Sequence, residues 1–276
     1  MNIPNVLNSI NLLFAKIFPG YVTIRGSKVY YSSFDRFLAV FLWKFGWLEG
    51  FEMSFFHSFL KPGMILLDIG ANMGVYSLTA SIKVGSEGKI ISFEPDKINL
   101  SSFTKSIQKN GFKNIVIHPF AVSDKSGEIF LSRDPYNSGN HQIRKVMSNA
   151  SGISIQAIAL DEFLKDEKKI DIIKIDIQGA EYFAFKGMKQ IILDNPQLII
   201  FAEFWQKGLK NMGVEPLKYL ELLKSYGLVI YKIDKKNKKL KEISIGEIMN
   251  NSNYDQIFLN IILTRNELNY SLINQN

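Results

Sequence analysis

Acidic residues close several apolar runs of this chain: Asp68 follows MILL, Glu94 ends ISFEP, and Asp176 and Glu181 lie in IIKIDIQGAE. A carboxylate at the tip of a buried strand can hold a cation, accept hydrogen bonds from paired hydroxyls, or take a proton. Asp68 leads into Ile69, Gly70, Ala71, Asn72, Met73 and Gly74, small residues that would let backbone amides approach a ligand. A dinucleotide loop needs Gly-x-Gly-x-x-Gly. Here those positions hold Gly70, Asn72 and Val75, which argues against an NAD-type oxidoreductase, the rival enzyme reading.

An acidic side chain beside amides suits a ligand carrying both an ammonium and a carboxylate, as at the amino-acid end of S-adenosylmethionine. Asp68 with Gly70, Ala71, Asn72 and Gly74 is the expected cofactor loop. Glu94 comes 26 residues after Asp68, where doubly wound folds set a carboxylate on ribose hydroxyls. Chemistry at a weakly acidic hydroxyl would need a group to take its proton, and Asp176, Glu181, Glu203 and His141 are candidates, Asp176 or Glu181 being favoured. His141 sits in the polar segment RDPYNSGNHQIRK. Lys174 shares a strand face with Asp176, so an ion pair is the plain alternative for that acid. A divalent metal on Asp176, Glu181 and Glu203 stays open, and no metal ligand is assigned.

Elements that could position these groups alternate along the chain. MILLDIG, KIISFEP, NIVIHPFAV, IDIIKID and QLIIFAEFW read as buried strands, with helices after the first, second and fourth. Gly111 closes the second of those helices. VEPLKYLELLKSYG is an amphipathic helix, and LVIYKID and YDQIFLNIILTR are closing strands around a lysine-rich turn. Ser132 to Gly152 is a polar loop. The order predicts a doubly wound, mostly parallel α/β sheet with ligands at its strands' carboxyl ends. Residues 1–60 are expected to be a helical cap or lid, 61–266 the cofactor-binding domain and 267–276 a tail.

Composition removes other classes. With 276 residues and 46% hydrophobic content the chain can bury one sizeable core, and the absence of cysteine excludes disulfides and thiolate chemistry. A cytoplasmic location is the corresponding expectation. No run is long enough for a membrane span. VLNSINLLFAKIF with the net charge of +7 leaves peripheral membrane contact, as a non-catalytic cofactor-binding or membrane-surface module, for a further alternative. Much of the positive excess lies in KIDKKNKKLKE, without a nucleic-acid-binding motif, so nucleic acid is not expected as a partner.

MILLDIGANMGVYS, ISFEP, HPFAVSDKSGEIFLS, ALDEFL and IIKIDIQGAEYFAFKGM, in that order, resemble the FkbM-type methyltransferases over roughly residues 49 to 205. The resemblance implies a class I, Rossmann-like methyltransferase fold: a seven-stranded sheet with a reversed last strand, here with an N-terminal helical extension. It implies O-methylation of a small-molecule or glycan acceptor, a carbohydrate or secondary-metabolite hydroxyl, with S-adenosylmethionine. Position by position it assigns Asp68, Gly70, Asn72 and Gly74 to the cofactor loop and Glu94 to the ribose. Ala121 and Val122 fall near the adenine, and Asp176 is the acid of the fourth strand.

Overall fold

The computed structural model describes residues 20–32, 50–132, 142–144, 152–234, 239–250, 259–266 and 268. A hairpin of β1 (Tyr21–Ile24) and β2 (Ser27–Tyr30) comes first, then helix α1 (Phe51–Phe59). Strand–helix alternation follows: β3 (Ile65–Ile69), α2 (Val75–Val84), β4 (Lys89–Phe93), α3 (Lys97–Asn110) and β5 (Ile115–His118). Four strands then leave this pattern: β6 (Ala121–Val122), β7 (Gly127–Ser132), β8 (Gln142–Arg144) and β9 (Gly152–Ile158). It resumes with α4 (Leu160–Phe163), β10 (Ile172–Ile175), α5 (Glu181–Gly187), α6 (Lys189–Asp194), β11 (Ile199–Phe204), α7 (Gln206–Asn211) and α8 (Pro216–Ser225). β12 (Val229–Asp234), β13 (Lys239–Glu242), α9 (Ile245–Met249) and β14 (Leu259–Thr264) close the chain.

The main sheet has the order β13-β12-β14-β11-β10-β3-β4-β5. Its centre, from β5 to β11, is parallel, and β14 runs antiparallel to both β11 and β12. Each strand read from the alternation has a counterpart, including the reversed one, described here as Leu259–Thr264, residues 254–258 lying outside the described residues. The pleat sends alternate residues to opposite faces, so Leu66, Ile90 and Ile172 pack with Phe56 and Leu78 on the α1–α2 side. Leu67, Ile91 and Ile173 join Phe185, Tyr219 and Leu220 on the other. Each such burial contributes about 1.5–3 kcal/mol, so register is fixed by both faces at once.

Four local readings change. NIVIHPFAV is not one strand: Pro119 has no N–H to give a ladder, β5 stops at His118, and Ala121–Val122 pair with β9 instead. The main sheet has eight strands rather than seven, because part of the lysine-rich run, KLKE, folds back on β12 as an antiparallel edge. Lysines at a sheet edge oppose further pairing, which reconciles the charge with a strand. The polar loop expected over 132–152 has strand at both its ends and at Gln142–Arg144, since β7 pairs with β9 from Gly127↔Ala157 to Ser132↔Gly152. In the segment expected to be a helical cap, Phe51–Phe59 is helical but Tyr21–Tyr30 is a hairpin turning at Arg25 (φ 45°) and Gly26 (φ 84°). Cap residues 1–19 and 33–49, and the tail apart from Leu268, lie outside the described residues.

Candidate functional site

One row of side chains crosses the sheet near its carboxyl edge on the α1–α2 face: Ser92, Asp68, Lys174 and Phe201 are successive partners on β4, β3, β10 and β11. Asp68 is wholly buried, and its Oδ2 accepts the Ser77 hydroxyl at 2.5 Å. The Ser77 oxygen lies 2.7 Å from that of Ser92. Asp68 Oδ1 has no hydrogen-bond partner among the described residues. Burial pushes this carboxyl above its ordinary range, while the Lys174 ammonium opposes that rise.

The loop after β3 folds tightly back on the protein. Gly70 and Ala71 donate their N–H groups to the Phe93 carbonyl at 2.9 and 3.1 Å, and Gly74 donates to Ala71 O at 2.8 Å. Asn72 N donates to Glu94 Oε2 at 2.8 Å, and Met73 N to Asn72 Oδ1 at 2.6 Å. All these amides are therefore taken by chain acceptors, which corrects the expectation that they face a ligand. The small residues serve close packing instead. At Gly70 (φ 78°) an added Cβ would come within 2.1 Å of the Asp176 carbonyl oxygen, and at Gly74 (φ 85°) within 2.2 Å of the Phe103 ring.

Glu94 is buried, not a surface residue. Its Oε1 accepts from Asp96 N at 2.9 Å and Asn99 Nδ2 at 3.3 Å, so one carboxylate joins the loop after β3 to the start of α3. Burial raises its pKa to about 7 despite these donors.

At the end of β10 the acids divide by exposure. The Asp176 side chain is 41% exposed, whereas that of Lys174 is 12% exposed with its Nζ 3.4 Å from Asp176 Oδ2. The ion pair foreseen between them is present. Gln178, held at φ 55°, donates to Asp176 Oδ1 at 2.8 Å and reaches Glu203 Oε2 at 3.4 Å. Burial, then the charges of Asp176 and Glu181, raise Glu203 to about 9, which leaves it protonated at neutral pH. Glu181 faces inward: it is 1% exposed, its Oε1 accepts Ile177 N at 3.0 Å, and burial raises it to about 7. Its Oε2 and the hydroxyl of buried Tyr219 have no hydrogen-bond partner among the described residues. Glu181 thus fixes the turn that carries Gln178 rather than opening onto the edge where Asp176 stands.

The sequence reading missed Ser77, Tyr76 and Gln178. Lys174 Nζ sits 4.9 Å from the centre of the Tyr76 ring, which meets Phe56 of α1 edge-on at 5.1 Å. Tyr76 and Ser77 directly follow the loop, so polar residues in the first turn after Gly74 were the available signal. Ala121 and Val122 are buried in β6, Val122 in one core cluster with Phe93. His141 lies outside the described residues. Asp161 of ALDEFL accepts Gln190 N at 2.9 Å and Ile191 N at 3.0 Å, a structural role at the start of α6. Among the described residues no three His, Cys, Asp or Glu side chains gather as metal ligands, and no helix is long and apolar enough to cross a membrane.

The family model described as Methyltransferase FkbM domain matches residues 68–230, a span that holds Asp68, Glu94, Asp176, Glu181 and Glu203. Methyltransferase 1 of Beauveria bassiana (strain ARSEF 2860) is 22% identical over 144 residues, covering 45% of this chain and 57% of that protein. Ribosomal RNA large subunit methyltransferase E of Wigglesworthia glossinidia brevipalpis is 34% identical over 85 residues, or 31% of this chain and 42% of that protein. The chain thus spans about half the length of these two relatives. Among solved structures, the precorrin-6y C5,15-methyltransferase of Geobacter metallireducens has a TM-score of 0.42 at 14% identity, covering 76% of this chain and 85% of that one.

Proposed function

We propose, from the premise that the chain belongs to the FkbM methyltransferase family, that it is an S-adenosylmethionine-dependent O-methyltransferase. The acceptor is a hydroxyl of a carbohydrate or secondary metabolite. The observation that carries this reading is the contrast at the ends of adjacent parallel strands: Asp68 is buried with one oxygen unpartnered among the described residues, and Asp176 stands open on the edge. One suits a fixed cationic group, the other an incoming hydroxyl.

The residues fit the cofactor by their chemistry. A buried carboxylate oxygen without a donor is costly unless a ligand cation or N–H meets it, and the amino end of S-adenosylmethionine supplies both. Glu94 offers the ribose the one lone pair that its three chain donors leave unused, and Ala121 and Val122 line the adenine side. When bound, S-adenosylmethionine contributes a methyl group on a positively charged sulfur, the electrophile of an in-line displacement. The protein's task is then to align the acceptor oxygen and remove its proton.

Asp176 takes that proton. Lys174 and Gln178 hold its two oxygens in place. Glu203, protonated at neutral pH, offers a donor to a neighbouring hydroxyl, which supports a polyhydroxylated acceptor. No observation favours a dinucleotide cofactor. Incubation with methyl-labelled S-adenosylmethionine and cell-envelope glycan or metabolite extracts tests the reading. Alkali-stable label on an acceptor oxygen supports it, whereas label found only on nitrogen or carbon would overturn the O-methyl assignment.

A further inference from the structure

Lys174 is the charged residue of a central strand, and nothing in the displacement itself requires a lysine there. Its position is specific. It is the register partner of Asp68 on β3, it pairs with Asp176 two residues on, and the Tyr76 ring covers it. The strand otherwise reads Ile172, Ile173 and Ile175, all buried, so an apolar residue would suit the fold at this place. Replacing a buried ion by an apolar residue of similar size is often neutral or stabilising, so fold stability alone does not account for the ammonium.

We propose that Lys174 is a positioning residue serving both halves of the site. It keeps buried Asp68 ionised toward the cofactor's ammonium, and it fixes the Asp176 carboxylate toward the acceptor. The inference rests on the cofactor reading above. The groups facing Asp68 are Ser77 and Tyr76 from α2, Lys174 and Asp176 from β10, and Ser92 from β4. Ser77 donates one neutral hydrogen bond, Tyr76 stays protonated because burial raises its pKa, and Asp176 adds like charge. Lys174 therefore supplies the positive charge among them. Without it a wholly desolvated Asp68 takes up a proton, and a neutral carboxyl loses its attraction for an ammonium.

The test is binding rather than turnover. S-adenosylhomocysteine is titrated by calorimetry into wild type and K174M from about pH 6 to about pH 9, where an ordinary carboxylate does not titrate. Glu94 titrates near 7 in both proteins, so the quantity read is the ratio of K174M to wild-type affinity at each pH. K174M is expected to bind roughly tenfold or more weakly at its acid end and to recover as Asp68 ionises. The double variant D68N/K174M should remain weak without that recovery. A K174M affinity that matches wild type, or is weaker by one factor at every pH, overturns the proposal. Failure of wild type to bind at all would instead overturn the cofactor reading. If K174M does not fold, K174Q replaces it with the same expectations. Failure of K174M, K174Q and the double variant to fold would assign Lys174 to the core and overturn the proposal.

Discussion

Glu94 accepts the backbone N–H of Asn72 at 2.8 Å through Oε2, while its Oε1 takes the N–H of Asp96 at 2.9 Å. With Asn99 Nδ2 as a third donor, the carboxylate is surrounded by hydrogens. Glu94→Gln would turn an amide donor against one of them. The expected cost is about 1–3 kcal/mol in stability, with weaker S-adenosylhomocysteine binding. Urea denaturation and calorimetry of the variant check this, and wild-type values in both would detach Glu94 from loop and ligand alike.

Buried Glu94 and Glu181, with half-buried Glu203, give the protein a pH dependence of definite sign. Glu94 and Glu181 are raised to about 7 and Glu203 to about 9, all above the unfolded range. Between roughly pH 4.5 and those values the folded state holds protons that the unfolded chain has released, so stability falls as pH rises. Melting temperature should therefore be higher near pH 5 than near pH 8. Glu181→Gln can keep the bond to Ile177 N and turn its amide toward the unpartnered side, so it should flatten the slope and preserve turnover within about tenfold. An abolished rate in a well-folded E181Q would return the proton-accepting role to Glu181.

Gly70 packs the loop after β3 against the end of β10. Ala at this position meets a positive φ of 78° and a carbonyl oxygen at 2.1 Å from its Cβ, so the loop must move away from Asp176. We expect G70A to lose at least about 2 kcal/mol of stability, as a strained backbone and a steric conflict act together. A denaturation midpoint equal to wild type would contradict the packing described at this turn.

Asp176→Asn tests the acid on the open edge. Removal of a general base costs typically ~10²- to 10⁴-fold in rate, and the isosteric amide should leave cooperative melting intact. If Asp176 served only as the partner of Lys174, turnover would persist and stability would change by about 1 kcal/mol or less, given its exposure. Rate and melting temperature taken on one preparation separate these outcomes.

Much of this architecture was legible because buried parallel strands write themselves as apolar runs ending in acids. ILLDI, KIISF and IIKI could be located, and Asp68, Glu94 and Asp176 all fall at or just past their ends. What stayed hidden depends on through-space partners. No pattern in the chain says that the N–H groups of Gly70 and Ala71 turn back to Phe93, or that Glu181 points inward. The small sheet escaped because β7 and β9 find each other across a polar stretch of about 20 residues, a pairing that local periodicity does not encode. KLKE was read as a turn since its charge outweighs its alternation.

Binding of S-adenosylhomocysteine to the full chain tests the account's central claim most directly. Calorimetry at neutral pH should give one site, with an affinity on the order of micromolar, and Asp68→Asn should weaken it by roughly tenfold or more while NAD shows no heat. No binding of S-adenosylhomocysteine at about millimolar concentration, or equal binding by D68N, would contradict the assignment of this strand edge to the cofactor.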